Sequence, residues 1–347
     1  MSNFKQSSSQ NAGDARHPPP PDPGASHRKT VIEGDQMGKQ STRKEILEKL
    51  HQQIDRKIPI LVAATGSGLN AKAAEIGGAD LIMVLHTGRM RQMGMPSIAA
   101  TNRPSNEIVR EMFQEQFAAT QSIPLLAGVD VGQFPADGDL NELIDSFMDL
   151  GFSGIVNFLS AGEISSPDFV SNAQRDTADD HFGAMRISGE RQMFENCRRK
   201  EENGVGFARE VEMIRLCRAR DIFTTVYVFS PQQAAQMAAA GADAVSPHCG
   251  GTSGGLVGHA FALDYDTACA RLQSMFDAAR AENPEIILLG HGGPFSGPED
   301  TIEMYRRCNA QGFTSGSGID RIPIEDAVIN TARAFKSAGA ALCDSHK

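Results

Sequence analysis

The chain has 347 residues, 40% hydrophobic and 22% charged, with a net charge of −10 and 34 glycines. That length allows two domains of about 150 residues, or one (β/α)8 barrel of about 250 residues with extensions. The acidic balance argues against nucleic acid, whose binding needs Lys and Arg to replace counterions. No apolar run approaches the ~20 residues of a membrane span, and no apolar segment opens the chain as a secretory signal would. A cytoplasmic protein with no membrane partner is therefore expected.

Residues 1–40 contain Ser7–Ser9, Pro18–Pro21 and few aliphatic side chains. Such a segment buries too little to offset its chain entropy, so a disordered tail is expected there, with the folded domain over 41–347. A helix is predicted over Thr42–Arg56, where Ile46, Leu47, Leu50 and Ile54 recur at helical spacing.

Eight short apolar runs follow: Ile58–Ala64, Leu81–Leu85, Ile123–Val129, Gly154–Leu159, Phe223–Phe229, Asp243–Ser246, Ile286–Gly290 and Phe313–Gly316. Each is too short for a helix and reads as a strand buried on both faces. Amphipathic helical patterns separate them, including Leu69–Ile76, Asn106–Thr120, Leu140–Leu150, Gln232–Ala240 and Pro298–Asn309. Eight such units predict an α/β fold, a single (β/α)8 TIM barrel. The stretch Gly66–Ala71 lacks the third glycine of a dinucleotide-binding turn, and no organic cofactor is expected.

The connection from Leu159 to Phe223 is the longest. It is read as an elaborated fourth βα unit, with a polar loop over Ser160–Arg186 and a helix around Glu190–Arg199. A segment of that length suggests a lid or an oligomer contact, and a homo-oligomer is expected.

Barrel chemistry sits at the C-terminal ends of the strands. The residues placed there include His86, Asp130, Asn157 with Glu163 beyond it, Tyr227, His248 and His291. His86, Glu163, His248 and His291 are the candidate acid/base groups, and each histidine could equally be a hydrogen-bonded structural residue. Asp130 and Glu163 are the carboxylates best placed to hold Mg²⁺ or move a proton, although Asp130 could instead brace a loop. Exposed backbone N–H groups of glycine-rich turns cradle anions. Gly66, Ser67, Asn157, Tyr227, Gly250, Gly251, Gly292, Gly293, Ser315, Gly316 and Ser317 are accordingly the candidate ligand contacts for a small anionic metabolite. No lysine closes any strand, which excludes Schiff-base chemistry and leaves Arg89, Arg91, Arg103 or Arg321, backbone N–H groups or a metal to meet the anion's charge.

The stretch Pro59–Val84, with GSGLNAKAAEIGGADLIMV, resembles the first βα unit of the phosphoenolpyruvate mutase/isocitrate lyase superfamily, and GVDVG at Gly128–Gly132 resembles its DxDTG segment. With VNFLSAGEI, SPHCGGTSGG, HGGP and SGSGIDRIP, the chain from about Thr42 to Ala341 is similar to the phosphoenolpyruvate-hydrolase-like TIM-barrel family, which is related to the C-terminal half of a plant virus-resistance protein. The resemblance implies a barrel, an oxalate- or pyruvate-like ligand, and Mg²⁺ at Asp130. Gly128 stands where the superfamily motif has its first aspartate, and the superfamily's Lys-x-Cys-Gly-His loop has no counterpart. Those departures point away from P–C bond cleavage. Two readings follow. One is a hydrolase or lyase acting on a 2-oxo acid or enol phosphate through an enolate; the other is a non-catalytic barrel that senses a ligand or scaffolds a partner.

Overall fold

A computed structural model describes residues 39–166, 181–259 and 262–344. The tail expected over residues 1–40 lies almost wholly outside the described residues, as does part of the polar loop after the fourth strand.

The strands are β1 (Ile60–Thr65), β2 (Leu81–Val84), β3 (Leu125–Val129), β4 (Gly154–Asn157), β5 (Phe223–Val228), β6 (Ala244–Pro247), β7 (Ile287–His291) and β8 (Gly312–Ser315). They are parallel and close in sequence order, with β8 returning to β1 through the register Ile60↔Gly312 and Val62↔Thr314. The fold is a TIM barrel, and each strand lies within two residues of its apolar run. The helices are α1 (Arg43–Asp55), α2 (Gly68–Ile76), α3 (His86–Gln92), α4 (Ser105–Ala119), α5 (Leu140–Met148), α6 (His181–Glu202), α7 (Phe207–Ala219), α8 (Pro231–Ala239), α9 (Tyr265–Glu282), α10 (Pro298–Arg307), α11 (Ser317–Asp320) and α12 (Ile322–Asp344).

Strand alternation sorts the apolar side chains into two cores. Val62, Ala64, Leu81, Met83, Leu126, Val156, Phe223 and Leu289 fill the barrel, and Ile46 and Leu50 of α1 join them. The same cluster holds Ile60 and Phe223, which begin their strands, so α1 plugs the N-terminal end. Thr42 and Glu45 start α1 with a reciprocal capping box, and Arg43 anchors it to the buried Asp243 at 2.7 Å. The alternate residues, including Ala63, Ile82, Val84, Ala127, Val129 and Ile155, face outward against the helices.

The fourth unit contains more helix than expected. Its helix runs over His181–Glu202, and α7 follows before β5. Both return charged side chains to the barrel mouth.

Phe147 of α5 is fully buried, with Phe152 at 6.0 Å and the Arg110 guanidinium 4.5 Å over its ring. Phe147→Ala is expected to cost about 3–5 kcal/mol through the cavity it leaves, read as a lower urea midpoint at unchanged slope.

Candidate functional site

A cavity of about 330 Å³ opens at the C-terminal ends of the strands. Of the residues proposed from sequence, Arg91, Glu163, Tyr227, His248, Gly250, Gly251, His291, Gly316, Ser317 and Arg321 line it. Thr87, Ser97, Glu190 and His259 line it as well.

His248 and His291 follow and end neighbouring strands, and their rings lie 4.9 Å apart. The backbone sets their tautomers. The Gly250 N–H donates to Nδ1 of His248 at 3.1 Å, so that nitrogen is unprotonated and Nε2 carries the hydrogen. Nδ1 of His291 meets the Thr314 carbonyl at 2.7 Å; a carbonyl only accepts, so here Nδ1 carries the hydrogen and Nε2 keeps its lone pair. Burial holds both rings neutral. It lowers His291 to about 4, helped by the charge of Arg91, and lowers His248 well below its usual value, with His291 and His259 adding to the effect. Tyr227 packs against His291 at 4.9 Å and against His248 at 6.0 Å.

Glu163 sits half-buried on a 3-10 turn, Ala161–Ser165, beyond β4. Burial, then the nearby charge of Glu190, raises its carboxyl to about 7. The turn is held from α7. Glu210 accepts from the Ser160 hydroxyl and the Ala161 N–H, each at 2.7 Å, and from Asn157 Nδ2 at 2.7 Å. Asn157 also accepts from the Tyr227 N–H. Asn157 therefore ties β4, β5 and α7 together beneath the cavity, and its polar atoms are spent on those bonds.

Arg91 is the guanidinium that the mouth fixes most firmly. Nε donates to Asp320 at 2.7 Å and Nη2 to the Ala64 carbonyl at 2.8 Å. Nη1 has only long bonds, 3.3 Å to the Thr87 hydroxyl and 3.4 Å to that of Ser97. Arg321 pairs with Glu325 and donates to the Gly254 carbonyl. Arg89 pairs with Glu115 on the surface, and Arg103 is exposed.

Other expected residues take structural places. His86 is fully buried against Phe158 at 5.7 Å, where burial and the charges of Lys200 and Arg91 lower it to about 3. The Gly66 N–H is bonded to Asp320, and Ser67 caps α2 by accepting from the Asn70 N–H. Gly292 and Gly293 have φ of 74° and 62°, and the Gly293 N–H donates to the Gly250 carbonyl, which locks the loops after β6 and β7 together. Ser315 ends β8 outside the cavity lining.

The residues around Asp130 do not fit a divalent cation. Its Oδ1 is 2.7 Å from Nζ of Lys200, which also donates to the Leu159 carbonyl at 3.0 Å, and it accepts from the Gly132 N–H. Asp130 and Lys200 are both buried. At Gly128, where the superfamily motif has an aspartate, an added Cβ would lie 2.7 Å from Leu85. Among the described residues no three His, Cys, Asp or Glu side chains are grouped to hold a metal. Of the three roles open to Asp130, holding Mg²⁺, moving a proton or bracing a loop, the brace matches this geometry. Lys200 ends no strand; α6 delivers it to Asp130.

The chain belongs to the phosphoenolpyruvate hydrolase-like family, whose model matches residues 45–176 and 192–338. Among its relatives is the ToMV susceptible protein tm-1(GCR26) of Solanum lycopersicum, 33% identical over 299 residues that cover 84% of this chain and 35% of that protein. The ToMV resistance protein Tm-1(GCR237) of the same plant is 32% identical over 302 residues, covering 85% and 36%. The chain thus spans about a third of the length of these relatives. A solved phosphonopyruvate hydrolase shares the fold at a TM-score of 0.51 and 15% identity, covering 87% of this chain and 88% of that one. No helix among the described residues is long and apolar enough to cross a membrane.

Two measurements test this geometry. Glu163 and Glu210 are both raised from 4.5 to about 7 and release protons on unfolding between those values, whereas His86, His248 and His291, all lowered, take protons up. The Glu163 contribution is isolated by difference: the unfolding free energy of the native protein minus that of Glu163→Gln should fall as pH rises from about 4.5 to 7. Lys200→Met should cost about 3–5 kcal/mol, because it strands the Asp130 carboxylate without its partner. Mg²⁺ should not restore that loss in a thermal melt.

Proposed function

We propose that the mouth cavity is an active site for proton transfer on a small carboxylate bearing a carbonyl, a 2-oxo acid or its enol form. The observation that carries this reading is the pair of neutral imidazoles held in opposite tautomers. An enolisable carbonyl presents an oxygen that accepts a hydrogen bond and, on the neighbouring carbon, a hydrogen to be removed. His248 Nε2–H supplies the donor for the oxygen, and His291 Nε2 supplies the base for the carbon. Glu163, near 7, exchanges the proton with the second face of the enol or with water. The Nη1 of Arg91, with the Thr87 and Ser97 hydroxyls, supplies donors for the carboxylate, and the Gly316–Ser317 backbone closes that side. Water attack on an enol phosphate, which releases phosphate, or retro-aldol cleavage of a C–C bond, which releases a carbonyl fragment, leaves such an enol, and a proton returned to its carbon gives the 2-oxo acid. The family match to phosphoenolpyruvate hydrolase-like proteins supports this substrate class.

The test is wash-out of the methyl protons of pyruvate in D₂O, followed by proton NMR, with calorimetric titration of pyruvate, oxalate, phosphoenolpyruvate and phosphonopyruvate alongside. Enzyme-dependent exchange is expected, reduced about 10²–10⁴-fold in His291→Gln while oxalate still binds. Binding without exchange in the native protein would favour the ligand-sensing barrel. No binding of any of these acids would overturn the reading.

A further inference from the structure

Resting on that reading, we infer that the cavity takes a 2-oxo acid carrying an apolar arm of about three to six carbons, larger than pyruvate or oxalate. Two kinds of side chain line the cavity. On or next to the strand ends stand Arg91, Thr87, Tyr227, His248, His291 and Ser317, with Leu85 and Phe158. From the long connections come Ile98, Leu159, Met193, Val257 and Leu263, an apolar wall, with Glu163 and with Glu190 and His259, which pair with each other at 3.4 Å. Ile98, Leu159 and Met193 belong to one small apolar cluster, separate from both barrel cores, that packs where α6 crosses the turn at Ser97–Ala100. Gly189 of α6 allows that crossing, since an added Cβ would lie 2.8 Å from Ile98.

Size and chemistry agree. A volume of about 330 Å³ holds about eleven water-sized groups, about twice what a three-carbon acid fills. A pyruvate or oxalate seated on Arg91 would leave Ile98, Leu159, Met193, Val257 and Leu263 facing water. An alkyl or aryl arm fills that space and removes the wall from solvent. Each buried methylene strengthens binding about fourfold.

The experiment is calorimetric titration of pyruvate, 2-oxobutyrate, 4-methyl-2-oxopentanoate and phenylpyruvate against the full chain, native and Ile98→Trp. Affinity should rise along the series, with 4-methyl-2-oxopentanoate at least tenfold tighter than pyruvate. Ile98→Trp, at a partly exposed site, should erase that gain and leave pyruvate unchanged, with the thermal midpoint confirming the fold. Measurable but equal affinities for all four acids would overturn the apolar-arm inference and leave the proton-transfer reading standing. If none of them binds, both fail together, and the cavity is not an oxo-acid site. Tight binding of the neutral amide of 4-methyl-2-oxopentanoate would retain the apolar wall but overturn the acid as its ligand.

Discussion

The Asp320 carboxylate is the constraint on which the barrel mouth depends. It is fully buried and accepts from the Gly66 N–H, Asn70 Nδ2, Arg91 Nε and Gln92 Nε2. A charge so placed is tolerable only when a partner and hydrogen bonds replace its water. Here those partners come from the loop after β1, from α2 and from α3, while Asp320 itself follows β8. The carboxylate therefore fastens the last unit to the first two at the seam where the barrel closes. The backbones are also in contact there: a Cβ on Gly88 would lie 2.7 Å from Gly66 and 2.8 Å from the Thr65 carbonyl. One result of this clamp is functional, because Arg91 enters the cavity already immobilised, with one edge of its guanidinium left for a ligand.

Charge in the mouth is otherwise nearly cancelled within the protein. Arg91 faces Asp320, Arg321 faces Glu325, and Lys200 faces Asp130. Burial keeps the two central histidines neutral and holds Glu163 close to half-protonation at neutral pH. A site of this kind works through directed donors and acceptors more than through a net field. The tautomers of His248 and His291 matter for that reason.

The fold was largely legible in the sequence because buried parallel strands are short, apolar and bounded by polar or glycine residues. The alternation of Val62, Ala63 and Ala64 between the two cores is one signature of it. The site was legible only where its residues end strands, as His248 and His291 do. Lys200, Glu190 and Glu210 lie on α6 and α7, where charged side chains at helical spacing look like a solvated face; only the packing of those helices onto the mouth buries them. The glycine excess around the loops after β6 and β7 had two readings. Gly250 and Gly251 line the cavity, whereas Gly292 and Gly293 serve the backbone turn.

Gly132 has a consequence for how α6 is held. The stem of Lys200 passes so close that an added Cβ would lie 2.5 Å from Cε and 2.7 Å from Cδ. The ammonium keeps its seat on Asp130 because this position lacks a single methyl group. Gain of a side chain there would crowd the lysine stem and loosen its hold on a buried carboxylate. Through this one bare position the long fourth connection is fastened to the turn after β3 by charge as well as by apolar packing.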